Sequence, residues 1–141
     1  MIETNVVEIK AIGVRARVGS RALAKASTHV KNVALGNIAD ALVENTDRIV
    51  EANQKDYRRA RDAGASSAIL DRLLLDAERI KGMAEGVRGI AALPDPIGQT
   101  SEGRVLPNGL RIDKRRVPLG VIGTIYESRP DVTIDITALC L

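Results

Sequence analysis

The stretch LGVIGTIYESRPDVTIDITALCL, residues 119–141, decides the fold class. Its first part, residues 119–126, is an almost unbroken run of apolar and β-branched side chains, typical of a strand covered on both faces in a parallel sheet. The polar turn 127–129 ends that run, and Pro130 suits the first position of a helix, where its missing N–H costs no hydrogen bond. Strand, turn and helix form the first half of a βαβ unit, so we predict an α/β protein.

As a sheet, this stretch is incomplete. A parallel strand pair needs a return strand after the helix, and none follows. The chain stops at Leu141, inside the apolar segment ITALCL, without a C-terminal glycine or a basic last turn. We therefore expect a truncated chain that holds only the first strand and helix of a Rossmann-like parallel sheet.

Upstream, residues 103–118 are predicted to form a β-hairpin arm. Asn108-Gly109 lies between two extended runs, and this pair favours a type I′ turn, whose two central residues have positive φ. Charged side chains dominate the second run, so the hairpin has little apolar surface of its own. We expect it to pair with strands outside this segment or on another subunit.

Residues 1–93 are predicted to be mainly helical. Residues 1–18 fit neither a helical nor a strand period, and Ser20 is expected to cap a short helix that ends near Ser27. Further N-caps are predicted at Ser27 or Thr28, Asn45, Ser66 or Ser67, and Asp76, with Gly64 as a left-handed helix end.

Apolar spacing predicts the buried face of three helices. The clearest pattern follows Asp76. The expected faces are Ala34, Ile38, Ala41 and Leu42 in the first helix, Ile80, Met83, Ala84, Val87, Ile90 and Ala91 in the second, and Val132, Ile136 and Leu139 or Cys140 in the third.

Composition excludes several classes of function. The chain has 141 residues, a net charge of +3, one cysteine and one histidine. One cysteine excludes an internal disulfide, and with one histidine it cannot build a zinc cage, so no metal site is expected. The charge is too small to indicate a nucleic-acid or membrane partner. No transmembrane run or secretory signal is found, and a cytoplasmic protein is expected.

Long motifs connect the sequence to a known family. They are LPNGLRI, RVPLGVIGTIYESRPDVT and ALCL in the last third, and IVEANQKD and DRLLLDAERIKGMAEGVRGIAALPDPIG upstream. From about residue 20 to its end the sequence resembles the γ-glutamyl phosphate reductases, also called glutamate-5-semialdehyde dehydrogenases. These belong to the aldehyde dehydrogenase superfamily.

This resemblance implies an oxidoreductase of proline, and hence amino-acid, biosynthesis. With NADPH it would reduce the small-molecule substrate L-glutamyl 5-phosphate to glutamate 5-semialdehyde and phosphate. On the family pattern, residues 1–102 are the helical part of the cofactor domain, residues 103–118 are the arm of a homo-oligomer, and residues 119–141 begin the sheet. The catalytic domain is absent and the nucleophilic cysteine lies beyond Leu141, so the chain alone is predicted to be inactive.

The candidate site is the turn Glu127, Ser128 and Arg129, expected to bind cofactor because ligands of open parallel sheets bind beyond the carboxyl ends of strands. By resemblance, Ser128 lies at or near the position of the superfamily's oxyanion-holding Asn. Arg129 would meet a phosphate. The alternative is a structural turn, with Ser128 stabilising it and Arg129 paired with Asp131. Cys140 is expected to be a buried, inert residue.

Two other functions stay open. One is an aldehyde dehydrogenase superfamily member with another substrate, against which the YESRP turn argues. The other is a stand-alone, non-catalytic helical binding module, against which the uncapped apolar end argues. A third possibility is that the chain belongs to the reductase half of a fused kinase–reductase.

Overall fold

The structure is a computed structural model that describes residues 2–141, with the side chains of residues 8–141. Within this part of the chain lie six helices and one two-stranded antiparallel sheet, so the predicted α/β class is confirmed. The elements in chain order are α1 (Ile2–Leu23), α2 (Thr28–Glu44), α3 (Thr46–Asp62), α4 (Ser67–Leu73), α5 (Ala77–Ala91), β1 (Thr100–Val105), β2 (Arg111–Arg115) and α6 (Pro130–Leu139).

The chain divides into two compact units. We call Ser27–Leu93 with Gly123–Leu141 the helical unit, since it contains α2 to α6. The described residues up to Ala26, with Pro94–Ile122, form the hairpin unit, which contains α1, β1 and β2. Gly123–Leu141 belongs to the helical unit because α6 packs on α5, although the hairpin segment lies between these two helices in the sequence.

Side-chain caps begin three helices of the helical unit where the sequence predicts them. Ser27 Oγ accepts from the Val30 amide at 3.4 Å and Ser66 Oγ accepts from the Ile69 amide at 3.4 Å. Asp76 caps α5 by accepting from the Arg79 amide at 2.8 Å. These bonds satisfy amide groups that have no partner within the helix.

Asn45 behaves differently from these caps. It is the residue before α3, as predicted, but its side chain makes no cap bond. The side-chain Nδ2 of Asn45 instead donates to the Ala41 carbonyl of α2 at 2.8 Å. Gly64 follows α3 with a φ of 81°, which confirms the predicted left-handed helix end.

The core of the helical unit lies where α5 packs against α2 and α6. The α5 residues Ile80, Ala84 and Val87 are buried, as predicted, with Met83 and Ile90 packed beside them. Burial of such side chains removes apolar area from water at roughly 25 cal/mol per Å² and holds the three helices together.

Two predicted faces are only partly right. In α2 the predicted Leu42 is buried and Ile38 packs on the core, but Leu35 and Ala39 complete the buried face in place of Ala34 and Ala41. In α6 the core contacts come from Ile134 and Ala138, with Leu141 just after the helix, whereas Leu139 and Cys140 are exposed. Both helices carry apolar residues on several sides, so contact with α5, and not the spacing, selects the buried face.

A buried asparagine joins α3 to the loop after α4. The Asn53 side chain is 6% exposed. Its Nδ2 donates to the Leu73 carbonyl at 2.8 Å, and its Oδ1 accepts from the Leu75 amide at 2.8 Å. Because both backbone groups are thereby satisfied, the chain can turn between α4 and α5 without leaving unpaired polar groups.

In the hairpin unit, α1 differs from its prediction. It runs unbroken from Ile2 to Leu23, and Ser20 does not begin a helix, since its hydroxyl donates to the Arg17 carbonyl at 3.0 Å. Strong helix formers such as Glu8, Lys10 and Ala11 favour the helix although apolar periodicity is weak.

The predicted hairpin is present but begins three residues earlier, at Thr100. Thr100 pairs with Arg115 and Val105 with Arg111, and the register shifts between Ser101 and Arg104. An ideal Cβ at Gly103 would lie 2.7 Å from Asp113 Oδ1, so the shifted segment fits only glycine without rearrangement.

The hairpin turn is not type I′. The Gly109 amide donates to the Leu106 carbonyl at 2.8 Å, so Pro107 and Asn108 are the central residues. Gly109 has a φ of 86°, whereas Asn108 does not have positive φ. Pro107 explains this correction, because its ring fixes the negative φ that the first central position of a type I turn requires, and a left-handed glycine completes such a three-residue loop.

Residues 119–126 are not a strand in this structure. A strand is defined by its ladder partner, and in residues 2–141 the only ladder is that of β1 with β2. Leu119 and Ile125 are therefore exposed instead of covered on both faces.

Within the described residues, no helix has both the length and the apolar character needed to cross a membrane.

Candidate functional site

The predicted turn lies at the N-terminus of α6. Pro130 is in the first turn of the helix, as expected, and Arg129 is its N-cap residue without a side-chain cap bond. Ser128 has a φ of 53°, a left-handed conformation that is uncommon for residues other than glycine. Such backbone conformations cluster at functional sites.

The side chains of the turn have different surroundings. Arg129 Nη2 lies 3.4 Å from Asp131 Oδ2, with the two side chains 55% and 39% exposed. This is the ion pair of the structural alternative. In the described part of the chain, however, the Ser128 hydroxyl has no hydrogen-bond partner, so the other half of that alternative is not observed. Glu127 is exposed.

A hydrogen bond that the sequence does not reveal joins the two sides of the turn. The Tyr126 hydroxyl lies 2.6 Å from Thr133 Oγ1. Tyr126 precedes the turn and Thr133 is in the first turns of α6, so this bond closes a loop around residues 127–130. It restrains the segment that presents Arg129.

A surface cleft of about 690 Å³ lies beside the turn, entirely within the helical unit. This volume is in the range of small-molecule sites. Arg129 lines the cleft, whereas Glu127 and Ser128 do not. The lining residues come from α4, the loop after it, α5 and α6: Asp71, Arg72, Leu74, Leu75, Arg79, Gly82, Met83, Arg129, Asp131 and Asp135.

Arg79 of α5 lines the cleft and holds the end of α4 and the loop after it through hydrogen bonds. Its guanidinium donates to the Asp71 side chain at 2.7 Å, to the Asp71 carbonyl, and to the Leu74 carbonyl at 2.9 Å. The hydrogen bond with Asp71 raises the pKa of Arg79. Desolvation, the next largest effect, lowers this pKa, and the charges of Asp71, Asp76 and Asp131 raise it further. Arg79 is thus committed to holding the α4–α5 loop.

Sequence reasoning missed this cleft. Its two walls are far apart in the sequence, since Asp71 and Asp135 are separated by nearly half of the chain, and no motif joins them. The only signal available was the charge of α6, where Asp131 and Asp135 are one helical turn apart and therefore share a face.

Cys140 requires a correction, since its thiol is exposed and not buried. Ala138 occupies the core position of this helix end, so Leu139 and Cys140 project outward. Cys140 is the C-cap residue of α6 and is not among the cleft residues. Reactive thiolates are stabilised at helix N-termini, so this position does not assist a nucleophile.

The described residues fit only an edge of a dinucleotide site. Arg129 and the positive end of the α6 dipole suit a phosphate group, although Pro130 has no N–H and the Val132 amide donates to the Arg129 carbonyl at 3.2 Å. A Gly-x-Gly-x-x-Gly turn between strand and helix is not found in the sequence. Among the side chains of residues 8–141, no three from His, Cys, Asp or Glu converge as metal ligands would.

Comparison with curated proteins gives long matches. The chain is 52% identical over 135 residues to the gamma-glutamyl phosphate reductase of Chloroflexus aurantiacus, which covers 96% of this chain and 32% of that protein. It is 50% identical over 140 residues to the enzyme of the same name from Clostridium novyi, with 99% and 33% covered. The chain therefore spans about a third of the length of these relatives. No protein-family model matches it.

Comparison with solved structures finds proteins of the same name. The crystal structure of gamma-glutamyl phosphate reductase from Thermotoga maritima matches with a TM-score of 0.83 and 41% identity, over 88% of this chain and 30% of that one. The Saccharomyces cerevisiae protein of the same name matches with a TM-score of 0.85 and 35% identity, over 92% and 33%. These matches confirm the resemblance predicted from the motifs.

Proposed function

We propose that this chain is the N-terminal portion of a γ-glutamyl phosphate reductase and contributes one edge of its active site. The observation that carries this proposal is the identity of about half of all positions over 96% of the chain to proteins of that name. Because that identity is spread along the chain and not confined to one motif, it argues against a helical binding module that borrowed a single segment.

The proposed reaction reduces L-glutamyl 5-phosphate to glutamate 5-semialdehyde in proline biosynthesis. A cysteine thiolate outside this chain attacks the acyl carbon, forms a thioester and expels phosphate. A nicotinamide cofactor, proposed to be NADPH, would supply the hydride for reduction of the acyl group to the aldehyde. Both steps place negative charge on the carbonyl oxygen, which donors at the site must stabilise.

Arg129 is the residue of this chain that we assign to binding. Its guanidinium lines the cleft and has one carboxylate partner at 3.4 Å. This long contact leaves donors free, and a planar guanidinium binds a phosphate through two parallel hydrogen bonds. The start of α6, which has no side-chain cap, adds the positive end of the helix dipole.

Ser128 and Glu127 are proposed to assist binding beside Arg129. Ser128 holds a left-handed backbone conformation that turns the chain into α6, and its hydroxyl is proposed to donate to the carbonyl oxygen of the substrate. Glu127 is exposed beside it and is proposed to border the cofactor. Neither side chain lines the cleft, so both assignments rest on the adjacency of these residues to Arg129.

The hairpin is proposed to be an oligomerisation arm of a homo-oligomeric cytoplasmic enzyme. Every residue of β1 and β2 is exposed. A two-stranded hairpin with no buried face is marginal in water, so pairing with strands of another subunit would stabilise it. Residues 119–126 are likewise proposed to become a covered strand when the sheet of the complete enzyme is present.

Phosphate dependence tests the function. The full-length protein that contains this chain is incubated with glutamate 5-semialdehyde and NADP, with and without phosphate, and reduced nicotinamide is followed by absorbance. We expect turnover only with phosphate, because the reverse reaction forms an acyl phosphate. Turnover that is indifferent to phosphate would indicate an ordinary aldehyde dehydrogenase, and no turnover with any aldehyde would contradict the proposal.

A further inference from the structure

The tip of the hairpin holds a pair of residues that is chemically reactive. The chain has six asparagines, and only Asn108 is followed by a glycine. The side chain of a residue after asparagine shields its own backbone nitrogen, whereas Gly109 has no side chain to do so. Asn108 and Gly109 are also exposed to solvent. The Gly109 nitrogen is therefore the least shielded of the backbone nitrogens that follow an asparagine in this chain.

The other five asparagines are in less reactive surroundings. Each precedes a residue that has a Cβ atom. Four of them are inside helices, where the amide of the following residue is held by the helical backbone: Asn5, Asn32, Asn37 and Asn53. The fifth, Asn45, lies between α2 and α3 and precedes the β-branched Thr46. These five positions are internal controls for Asn108.

We infer that Asn108 is a site of spontaneous deamidation through a succinimide formed with Gly109, and that the folded hairpin tip sets the rate. The Gly109 nitrogen loses its proton to solvent and bonds to Cγ of Asn108. The Cγ–Nδ2 bond breaks, and ammonia leaves with a proton taken from solvent. Water then opens the five-membered ring. Addition of water at Cγ gives aspartate, and addition at the main-chain carbonyl carbon gives isoaspartate, whose backbone runs through Cβ and Cγ.

Hydrogen bonds hold both reacting groups in the folded tip. The Gly109 amide donates to the Leu106 carbonyl at 2.8 Å, and Asn108 Oδ1 accepts from the Leu110 amide at 3.1 Å. The first bond retains the proton of the attacking nitrogen, and the second fixes the side-chain amide that it attacks. A third bond, from the Leu106 amide to the Leu110 carbonyl at 2.8 Å, closes the same loop. The tip must therefore open before the ring forms, and exposed loops open at a low cost in free energy.

The two products have different effects on the hairpin. Aspartate keeps a side-chain oxygen that accepts from the Leu110 amide, so the turn persists and the net charge of +3 falls by one. Isoaspartate inserts one extra atom into the main chain and displaces the Gly109 amide from the Leu106 carbonyl. The modification therefore changes the charge of the exposed hairpin tip in both products and its backbone in one of them.

Peptide mass spectrometry of the 141-residue chain measures the reaction. Trypsin cleaves after Arg104 and Arg111 and releases VLPNGLR, which contains Asn108 and no other asparagine. After incubation at mildly alkaline pH, we expect this peptide to gain the mass of an amide-to-acid conversion, in aspartate and isoaspartate forms that chromatography separates. Conversion at each other asparagine should be at least about tenfold slower. No conversion of Asn108 in the native chain, or equal conversion at all asparagines, would overturn the inference.

Two variants, each incubated natively and in concentrated urea, separate the chemistry from the fold. Alanine at 109 shields the nitrogen, and an ideal Cβ there meets no atom within 4 Å. For Gly109→Ala we expect conversion in urea, where folding has no influence, to be at least about tenfold slower than in the unchanged chain. Pro107→Ala releases the fixed φ of the turn, so native conversion should be about two- to fivefold faster, with no change in urea.

Each variant has an outcome that contradicts one part of the proposal. An unchanged rate in urea for Gly109→Ala would exclude the succinimide route. An unchanged native rate for Pro107→Ala, or an unchanged chain that reacts as fast natively as in urea, would exclude control by the hairpin tip. These rates involve neither the cleft nor a reduction step, so they are independent of the proposed function.

Discussion

The helical unit and the hairpin unit differ in what they bury. All eight buried apolar residues of the described chain belong to the helical unit. In the hairpin unit no described side chain is buried, although α1 carries Ile9, Ile12 and Val14. Apolar content alone therefore does not make a core. The helical unit places its apolar residues on faces that meet, and the hairpin unit does not.

This difference also separates the proposed roles. The cleft and the turn lie in the unit with a core, where packed helices fix the positions of Arg79 and Arg129. The hairpin has fully exposed strands and is suited to contact with other polypeptide. Variants that act on one unit and spare the other test the comparison.

The largest effect is expected from truncation in the core. Ile80→Ala removes a side chain that is 0% exposed at the contact of α5 with its neighbours. Loss of its burial and the cavity left behind should lower the free energy of unfolding by about 2–5 kcal/mol. Urea unfolding of the 141-residue chain measures this change.

Ile12→Ala is the matched variant in the hairpin unit, where the side chain is 53% exposed. It should change the free energy of unfolding by no more than about 0.5 kcal/mol. Similar losses for the two variants would mean that α1 is packed as firmly as α5 and would break the comparison.

The next effect concerns the buried polar contact of the helical unit. Asn53→Ala leaves the Leu73 carbonyl and the Leu75 amide without their partner. An unsatisfied buried group costs about 1–3 kcal/mol, so we expect a loss of roughly 2–4 kcal/mol. Asn45→Ala is the control, since that side chain is exposed; an equal loss there would show that burial is not the cause.

The proposed activity is expected to depend on the turn 127–129. In the full-length enzyme, Arg129→Ala should lower kcat/KM by about 10- to 150-fold, equivalent to about 1.5–3 kcal/mol for one charge-assisted contact. Arg61→Ala is the control, because Arg61 also lies beside an aspartate, Asp62, at 3.1 Å, but is in α3 away from the cleft. An unchanged kcat/KM for Arg129→Ala would remove this residue from the site.

The smallest predicted effect is that of a helix cap. Asp76→Ala loses the 2.8 Å bond to the Arg79 amide at the start of α5. We expect the free energy of unfolding to fall by about 1 kcal/mol. Thermal unfolding with Asp76→Asn as the comparison measures it, because asparagine caps nearly as well; a loss as large as that for alanine would point to charge instead of capping.

Local chemistry made much of the fold predictable from the sequence. Caps were predictable at Ser27 or Thr28, at Ser66 or Ser67, and at Asp76, because a capping side chain bonds an amide only three residues away; the structure selects Ser27, Ser66 and Asp76. The buried face of α5 was predictable from the spacing of its apolar residues. The faces of α2 and α6 were only partly predictable, because both helices are apolar on several sides and a neighbour far along the chain decides which side is buried.

The site was predictable only in part, for the same reason. The turn at 127–129 follows from one short segment, and Arg129 does line a cleft. The cleft itself depends on α4 and α5 meeting α6, and Asp71, Arg72 and Gly82 gave no local signal. The prediction for Cys140 was wrong because its exposure depends on which face α6 turns to α5.

Assaying the 141-residue chain alone tests the central claim most directly. With glutamate 5-semialdehyde, phosphate and NADP, we predict no reduced nicotinamide above a control without protein, because the one thiol, Cys140, lies at the C-terminal end of α6 and outside the cleft. Turnover by this chain that is abolished by Cys140→Ser would contradict the account. It would show that the chain is a catalyst in itself and that Cys140 is its nucleophile.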